Sequence, residues 1–217
     1  MGQDRRALCR AGQAAPHLAG HLRRRRAGRL LPALLLALAA GCAAPPPPPA
    51  RLPPALLQGP AVAGAPNPTT AALRGAAAAF AAPVRLQGRP SLAALAVAQL
   101  EYLAVELPSG RVSGDIGMIA PMLQAARSEV RAWLDIDEAV PPQQVIDAMA
   151  AAASAPGGEP AAAGQIPPAL SAAGPEALWR RLGAMPRLPQ ANAATRAALR
   201  YWEFGPMEDF DIGFLRR

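Results

Sequence analysis

Beyond position 42 the chain contains no His, no Lys and no Cys, so any chemistry must come from carboxylates, hydroxyls, amides and arginines. That composition removes Ser-His-Asp and Cys-His nucleophiles, Ser-Lys dyads and Schiff bases. It removes zinc, haem and iron–sulfur sites built on His or Cys, and the Lys-bearing phosphate loop. Two acidic clusters remain: Asp135, Asp137 and Glu138, and nearer the C-terminus Glu208, Asp209 and Asp211. Paired carboxylates are the machinery of glycoside hydrolysis. Oxygen ligands alone also hold Ca²⁺, but neither cluster has the spacing of a twelve-residue calcium loop. A structural reading competes with both: Asp137 or Glu138 lies just before Pro141, where a negative charge meets the positive end of a helix dipole. The balance falls to structure, and no catalytic set, cofactor or metal is expected.

Charge placement narrows the partners. All 22 basic side chains are Arg, against 15 acids, for a net charge of +7. Residues 1–41 hold eight Arg and one acid, so residues 42–217 carry fourteen of each and are neutral. The pI near 11 therefore does not describe a nucleic-acid binder, because phosphate recognition needs the basic excess on the folded domain.

The basic excess has another purpose. Arg23 to Arg26 and Arg29 precede an apolar run from Leu30 to Ala40, then Gly41-Cys42 and five prolines, Pro45 to Pro49. A basic flank, about a dozen apolar residues and small residues before a break describe a secretory signal. The run is short of the roughly 20 residues that cross a bilayer, and the Arg cluster suits the cytoplasmic side. Arg25-Arg26 lacks the rest of a twin-arginine motif, and so long a basic segment implies a start downstream of Met1. Leu38-Ala39-Ala40-Gly41-Cys42 resembles the lipobox of bacterial lipoproteins, with Leu one place further from the Cys than is usual. The resemblance implies cleavage between Gly41 and Cys42, a diacylglyceryl group on the Cys42 thiol, and a lipid-anchored chain facing the periplasm. Ala43 after the Cys implies sorting to the outer rather than the inner membrane.

The rest of the chain reads as elements for an anchored domain. Residues 42–68, rich in Pro and Ala, are expected to be a disordered, semi-rigid tether of polyproline II character. Helices are expected over Thr70–Ala82, capped by Asn67, Thr69 or Thr70 and ended by Pro83; over Ser91–Leu107; from Ile116 or Ala120 to Leu134; from Pro141-Pro142 to about Ser154; over Pro175–Leu182; and over Gln190–Phe204, closed by Gly205-Pro206. On the third, Gln124, Arg127, Ser128 and Arg131 are expected to face water. Residues 155–174 read as a mobile low-complexity loop. No stretch alternates long enough to make a strand. The expectation is an all-α domain over 69–205, an irregular antiparallel bundle of five or six helices, followed by an aromatic and acidic tail at 206–217.

Five of the nine aromatics, Tyr201, Trp202, Phe204, Phe210 and Phe214, fall in the last 17 residues. Aromatics with Arg suit an interface centre, so this segment is a candidate contact for an envelope protein; the competing reading packs Tyr201 and Trp202 on the bundle. The leading expectation is a membrane-tethered, non-enzymatic interaction module. Its rivals are a carboxylate-dependent wall hydrolase working through Asp135, Asp137 and Glu138, and a lipid or small-ligand carrier with an apolar cavity between the second and third helices.

Overall fold

In the computed structural model residues 48–57, 63–111, 116–155 and 159–205 are described. They belong to one compact unit, Pro46–Arg217. Six helices carry it: α1 (Pro68–Ala81), α2 (Pro90–Glu106), α3 (Ile119–Leu134), α4 (Pro142–Ala153), α5 (Pro175–Gly183) and α6 (Pro189–Phe204). No strand occurs among the described residues, and the all-α expectation holds. Five of the six helices begin on a proline. The reason is local: the ring presets φ for the first turn, and its missing N–H would have no intrahelical partner there. Asn67 is the α1 cap, its Oδ1 accepting from the Thr70 amide at 2.8 Å. At the C-terminus of the last helix Gly205, at φ 79°, closes α6 with its amide on the Tyr201 carbonyl.

The bundle is built around α2, which packs against α1, α3, α4 and α5, while α6 packs against α1 and α3. A helix with neighbours all round must be apolar all round. Ala93, Ala94, Val97, Ala98, Leu100, Leu103 and Ala104 accordingly have at most 1% of their surface exposed. Small Ala faces let the neighbouring backbones approach, and each fully buried Leu contributes about 1.5–3 kcal/mol.

Three expectations are corrected by this packing. The tether does not run free to residue 68: Ala50, Leu52 and Leu56 are buried in the core, and Pro54–Leu57 forms a 3₁₀ turn against α1. The low-complexity stretch after α4 is also anchored. A helical turn at Glu159–Ala162 and two 3₁₀ turns follow one another there, and Ile166 and Leu170 are buried. In both segments a few aliphatic side chains among Pro and Ala suffice to fix the backbone. Third, Arg131 of α3 does not face water, and Gln124 is half-buried with its amide turned to α2. Gln124 donates to the Ala104 carbonyl of α2 at 2.6 Å, and Arg131 is 1% exposed.

The segment arriving from the N-terminal side is held by polar bonds as well. The Ala50 amide donates to Glu106 at 2.6 Å, and Arg111 grips the same carboxylate through Nε and Nη2. Gln143 of α4 brackets Arg51, accepting from its amide and donating to its carbonyl. Burial raises the Glu106 carboxyl, but Arg111 and the Ala50 amide outweigh it and hold the group below the usual carboxylate range. A lowered folded-state value means a contribution that is complete above the unfolded value and is lost as pH falls through the folded one. Acidification below the usual Glu range is therefore expected to loosen residues 50–57 first, seen as earlier amide exchange there than in α2. Glu106→Gln removes that acid-dependent step; an unchanged step in the variant would contradict it.

Candidate functional site

The most concentrated polar feature of the domain is a buried ion pair with a loop wrapped on it. Glu101 lies mid-way along α2 and Arg131 near the end of α3, with 2% and 1% of their side chains exposed. Arg131 Nε donates to Glu101 Oε1 at 2.6 Å and Nη2 to Oε2 at 2.8 Å, a bidentate fork. Its remaining nitrogen, Nη1, donates to the carbonyls of Asp137, Glu138 and Val140 at 3.1, 3.1 and 2.9 Å. One guanidinium thus satisfies a buried carboxylate and shapes the α3–α4 connection. Burial pushes the Glu101 carboxyl up from its usual value, opposed by the hydrogen bonds and charge of Arg131.

Three of the acidic residues singled out from the sequence, Asp135, Asp137 and Glu138, lie on that connection, and each turns to a different partner. Asp137 Oδ1 accepts from the Ala139 amide at 2.7 Å, a local turn rather than a cap on α4, which has no side-chain cap. Glu138 approaches Arg127 at 3.8 Å, and Asp135 approaches Arg181 at 3.8 Å. Among the described residues no group of three or more His, Cys, Asp or Glu is placed to hold a metal. Asp135 has a backbone duty as well. At φ 59° it stands in the left-handed region just past α3. Its amide bonds Ala132 O and the Ile136 amide bonds Arg131 O, while Ile136 is buried. That is a Schellman closure, which glycine fills without strain.

Beside the turn is an open cleft of about 490 Å³. One wall is Arg131 to Asp137 and the other Pro168 to Ala172, joined where Ser171 Oγ donates to Leu134 O and the Ala172 amide to Asp135 O. Asp135→Gly separates the structural role of this residue from a chemical one. Relief of the left-handed strain is expected to stabilise the domain by about 0.5–1 kcal/mol, against a loss of at most a few tenths from the exposed pair with Arg181. A fall in thermal midpoint would show that the carboxylate contributes more than this geometry indicates.

Of the aromatics near the C-terminus, Tyr201 and Trp202 pack on the core, and Trp202 Nε1 donates to Thr70 Oγ1 of α1 at 2.9 Å. Phe204 is 79% exposed. Phe210 and Phe214, the acids Glu208, Asp209 and Asp211, and Gly41 with Cys42 lie outside the described residues. The seam between α2 and α3, where a carrier's cavity would have to open, is crossed by the Glu101–Arg131 fork and the Gln124 bond. No described helix is long and apolar enough to cross a membrane.

Comparison with protein-family models, with curated proteins and with solved structures gives no match. Function must therefore be argued from these residues alone.

The residues that sequence reasoning passed over are Glu101 and Arg131, the polar centre of the domain. The signal was present in α2, which is apolar on every face except at Gln99, Glu101 and Glu106. A carboxylate in a helix with no wet face requires a cation on a neighbouring element. What periodicity cannot supply is which of several arginines answers it.

Proposed function

We propose that the chain is an exported lipoprotein, cleaved between Gly41 and Cys42 and acylated on the Cys42 sulfur. Its helical domain is displayed on the periplasmic face of the envelope and acts by binding an envelope protein rather than by catalysis. The observation that carries this reading is the run from Arg23 to Cys42: basic residues, a short apolar stretch, then Gly-Cys followed by prolines. Two or three acyl chains would hold the protein stably where one would not. The lack of His and Lys after Cys42 supports the non-catalytic part, as does the engagement of Asp135, Asp137 and Glu138 with three separate partners. Ala43 favours the outer membrane as destination.

Intact-mass measurement on the membrane-extracted protein, crosslinked in cells before lysis, tests both halves. The expected species begins at Cys42, carries glyceryl-linked acyl mass and is accompanied by crosslinked neighbours. Cys42→Ser is expected to accumulate as uncleaved precursor. A full-length chain in the cytosol with a free Cys42 thiol would overturn the anchor. A triple Asp135→Asn, Asp137→Asn, Glu138→Gln variant is expected to leave any cellular phenotype unchanged, and loss of a wall-hydrolysis signal in it would overturn the non-catalytic reading.

A further inference from the structure

Charge is not evenly spread over the folded domain. Residues 81–92 and 180–190 together contain five Arg (85, 89, 180, 181 and 187) and no acid. The other described residues hold seven Arg against ten acids. The two segments are far apart in sequence but adjacent in space. The Gly88 amide donates to Gly183 O at 2.8 Å, and a Cβ at Gly183 would touch the Pro90 ring at 3.5 Å. They form the end of the bundle at which α1 stops, α2 starts, α5 stops and α6 starts.

Arg85, Arg89, Arg180 and Arg187 are all exposed there, and none is paired with a described carboxylate. Among them stand Val84, 72% exposed, and Leu92, 43% exposed, two of the four most exposed large apolar side chains described.

We infer that this arginine end of the bundle docks on the anionic headgroup surface of a bilayer, with Val84 and Leu92 entering the interface. This rests on the lipid anchor proposed above for its choice of partner. Arginines around exposed aliphatics match a surface that is negative outside and apolar a few ångströms in. The segments contain no aromatic residue, and the neighbouring Trp133 is half-buried with its Nε1 on the Arg181 carbonyl, so there is no exposed row of stacking platforms of the kind that holds single-stranded nucleic acid. Reach is adequate. The chain arriving from Cys42 joins the domain at the opposite end of α2, through Ala50 and Glu106. The 17 residues of α2 span about 25 Å at 1.5 Å per residue. A chain of eight residues, the separation of Cys42 from Ala50 in the sequence, can reach at most about 26–29 Å when fully extended. With α2 along the bilayer normal, a tether of that length is long enough for the arginine end to reach the surface in which the acyl chains would be buried. Anchor and patch would grip the membrane together, restricting the domain to one orientation and leaving the Phe204 side chain, at the far end of α6, for a partner.

The test uses the acylated full-length mature chain, in which a blocked Cys42 leaves an introduced thiol as the unique labelling site. An environment-sensitive fluorophore is placed through Val84→Cys, or through Gln144→Cys beside the Arg51–Gln143 contact as a control. Each is reconstituted in phosphatidylcholine vesicles with and without phosphatidylglycerol. The expected result is a blue shift for the Val84 label only with the anionic lipid, reversed by salt, and none for the Gln144 label. Changing Arg85, Arg89, Arg180 and Arg187 together to Glu is expected to abolish the shift with helical circular dichroism unchanged, since all four are exposed. In the chain beginning at position 42 with Cys42→Ser, added to vesicles from solution without the basic segment 1–41, binding is expected to fall roughly fivefold for each arginine replaced. That second arm separates the two ideas: if no acylation is found at Cys42 the anchor fails, while vesicle binding still decides the patch. Equal emission in both vesicle types, a shift at Gln144 instead of Val84, or a response to soluble polyphosphate but not to vesicles would each overturn the inference.

Discussion

Arg131→Met is expected to destabilise the bundle by about 3–5 kcal/mol, the scale found when one partner of a buried ion pair is removed. The substitution keeps most of the aliphatic volume, so the loss is electrostatic. It leaves the Glu101 carboxylate, 2% exposed, without its cation, and orphans the carbonyls of Asp137, Glu138 and Val140. Glu101→Gln should cost less, because Arg131 keeps its three carbonyls and can still donate to the amide oxygen. Replacing both, Glu101→Leu with Arg131→Met, should recover part of the single-variant loss but not all of it, since the loop carbonyls remain unanswered. Urea unfolding followed by circular dichroism gives the three values; a cost below about 1 kcal/mol for Arg131→Met would contradict the role assigned to it.

The same pair has a pH signature of opposite sign to that of Glu106. Burial raises the folded-state Glu101 value against the pull of Arg131. A raised carboxyl favours the folded state while it stays protonated, and that contribution is lost as pH rises through the folded value. Removing Arg131 takes away the main opposing influence and raises the group further. The deficit of Arg131→Met should therefore be greatest near neutrality and shrink on acidification towards the usual Glu range. Glu106, held low by Arg111 and the Ala50 amide, makes the opposite contribution and weakens in acid.

Much of the fold was legible because the chain is punctuated by proline. Pro68, Pro90, Pro142, Pro175 and Pro189 each stand at the first position of a helix, and the expected boundaries of those five helices lie within two residues of those found. The all-apolar composition of α2 likewise pointed to a helix buried on several sides. What was not legible had one physical cause: composition averages over segments, whereas docking depends on single side chains. Leu52 and Leu56 among prolines, and Ile166 and Leu170 among Ala, Gly and Pro, fix stretches that read as unstructured. Arg131 failed differently. On the α3 wheel it falls beside Ser128, which is exposed, and Gln124, which is half-buried, and only the three-dimensional meeting with Glu101 shows that Arg131 itself is dry. The acidic cluster at 135–138 was visible, but its engagement with backbone and arginine was not, because a left-handed closure at Asp135 and the approach of Arg127 and Arg181 arise only in the folded chain.

The contact of α1 with α2 makes the second demanding prediction. Gly75 lies inside α1, where glycine costs about 1 kcal/mol relative to alanine, so a packing reason must offset that cost. A Cβ at position 75 would overlap Gln99 Oε1 and stand 2.6 Å from Nε2 and 2.8 Å from Cδ. Those are overlaps that no rotamer of an alanine relieves. Gln99 has little room to yield, being 1% exposed on α2, with a side-chain nitrogen that finds no hydrogen-bond partner. The helix therefore accepts glycine so that a large buried amide can lie against its backbone. Gly75→Ala is expected to cost about 1–3 kcal/mol despite its better helix propensity, because overpacking a filled interface displaces backbone. Gln99→Ala should cost less than a comparable core truncation, since it also removes a buried amide with an unmatched donor. Together the two changes replace one interdigitation by another, with the new methyl entering space the amide has left. The double variant should thus be more stable than the sum of the singles implies, by about 1 kcal/mol or more in a double-mutant cycle. Strict additivity would mean that the two helices do not meet at this point, and the close approach of α1 to the central helix would need another explanation.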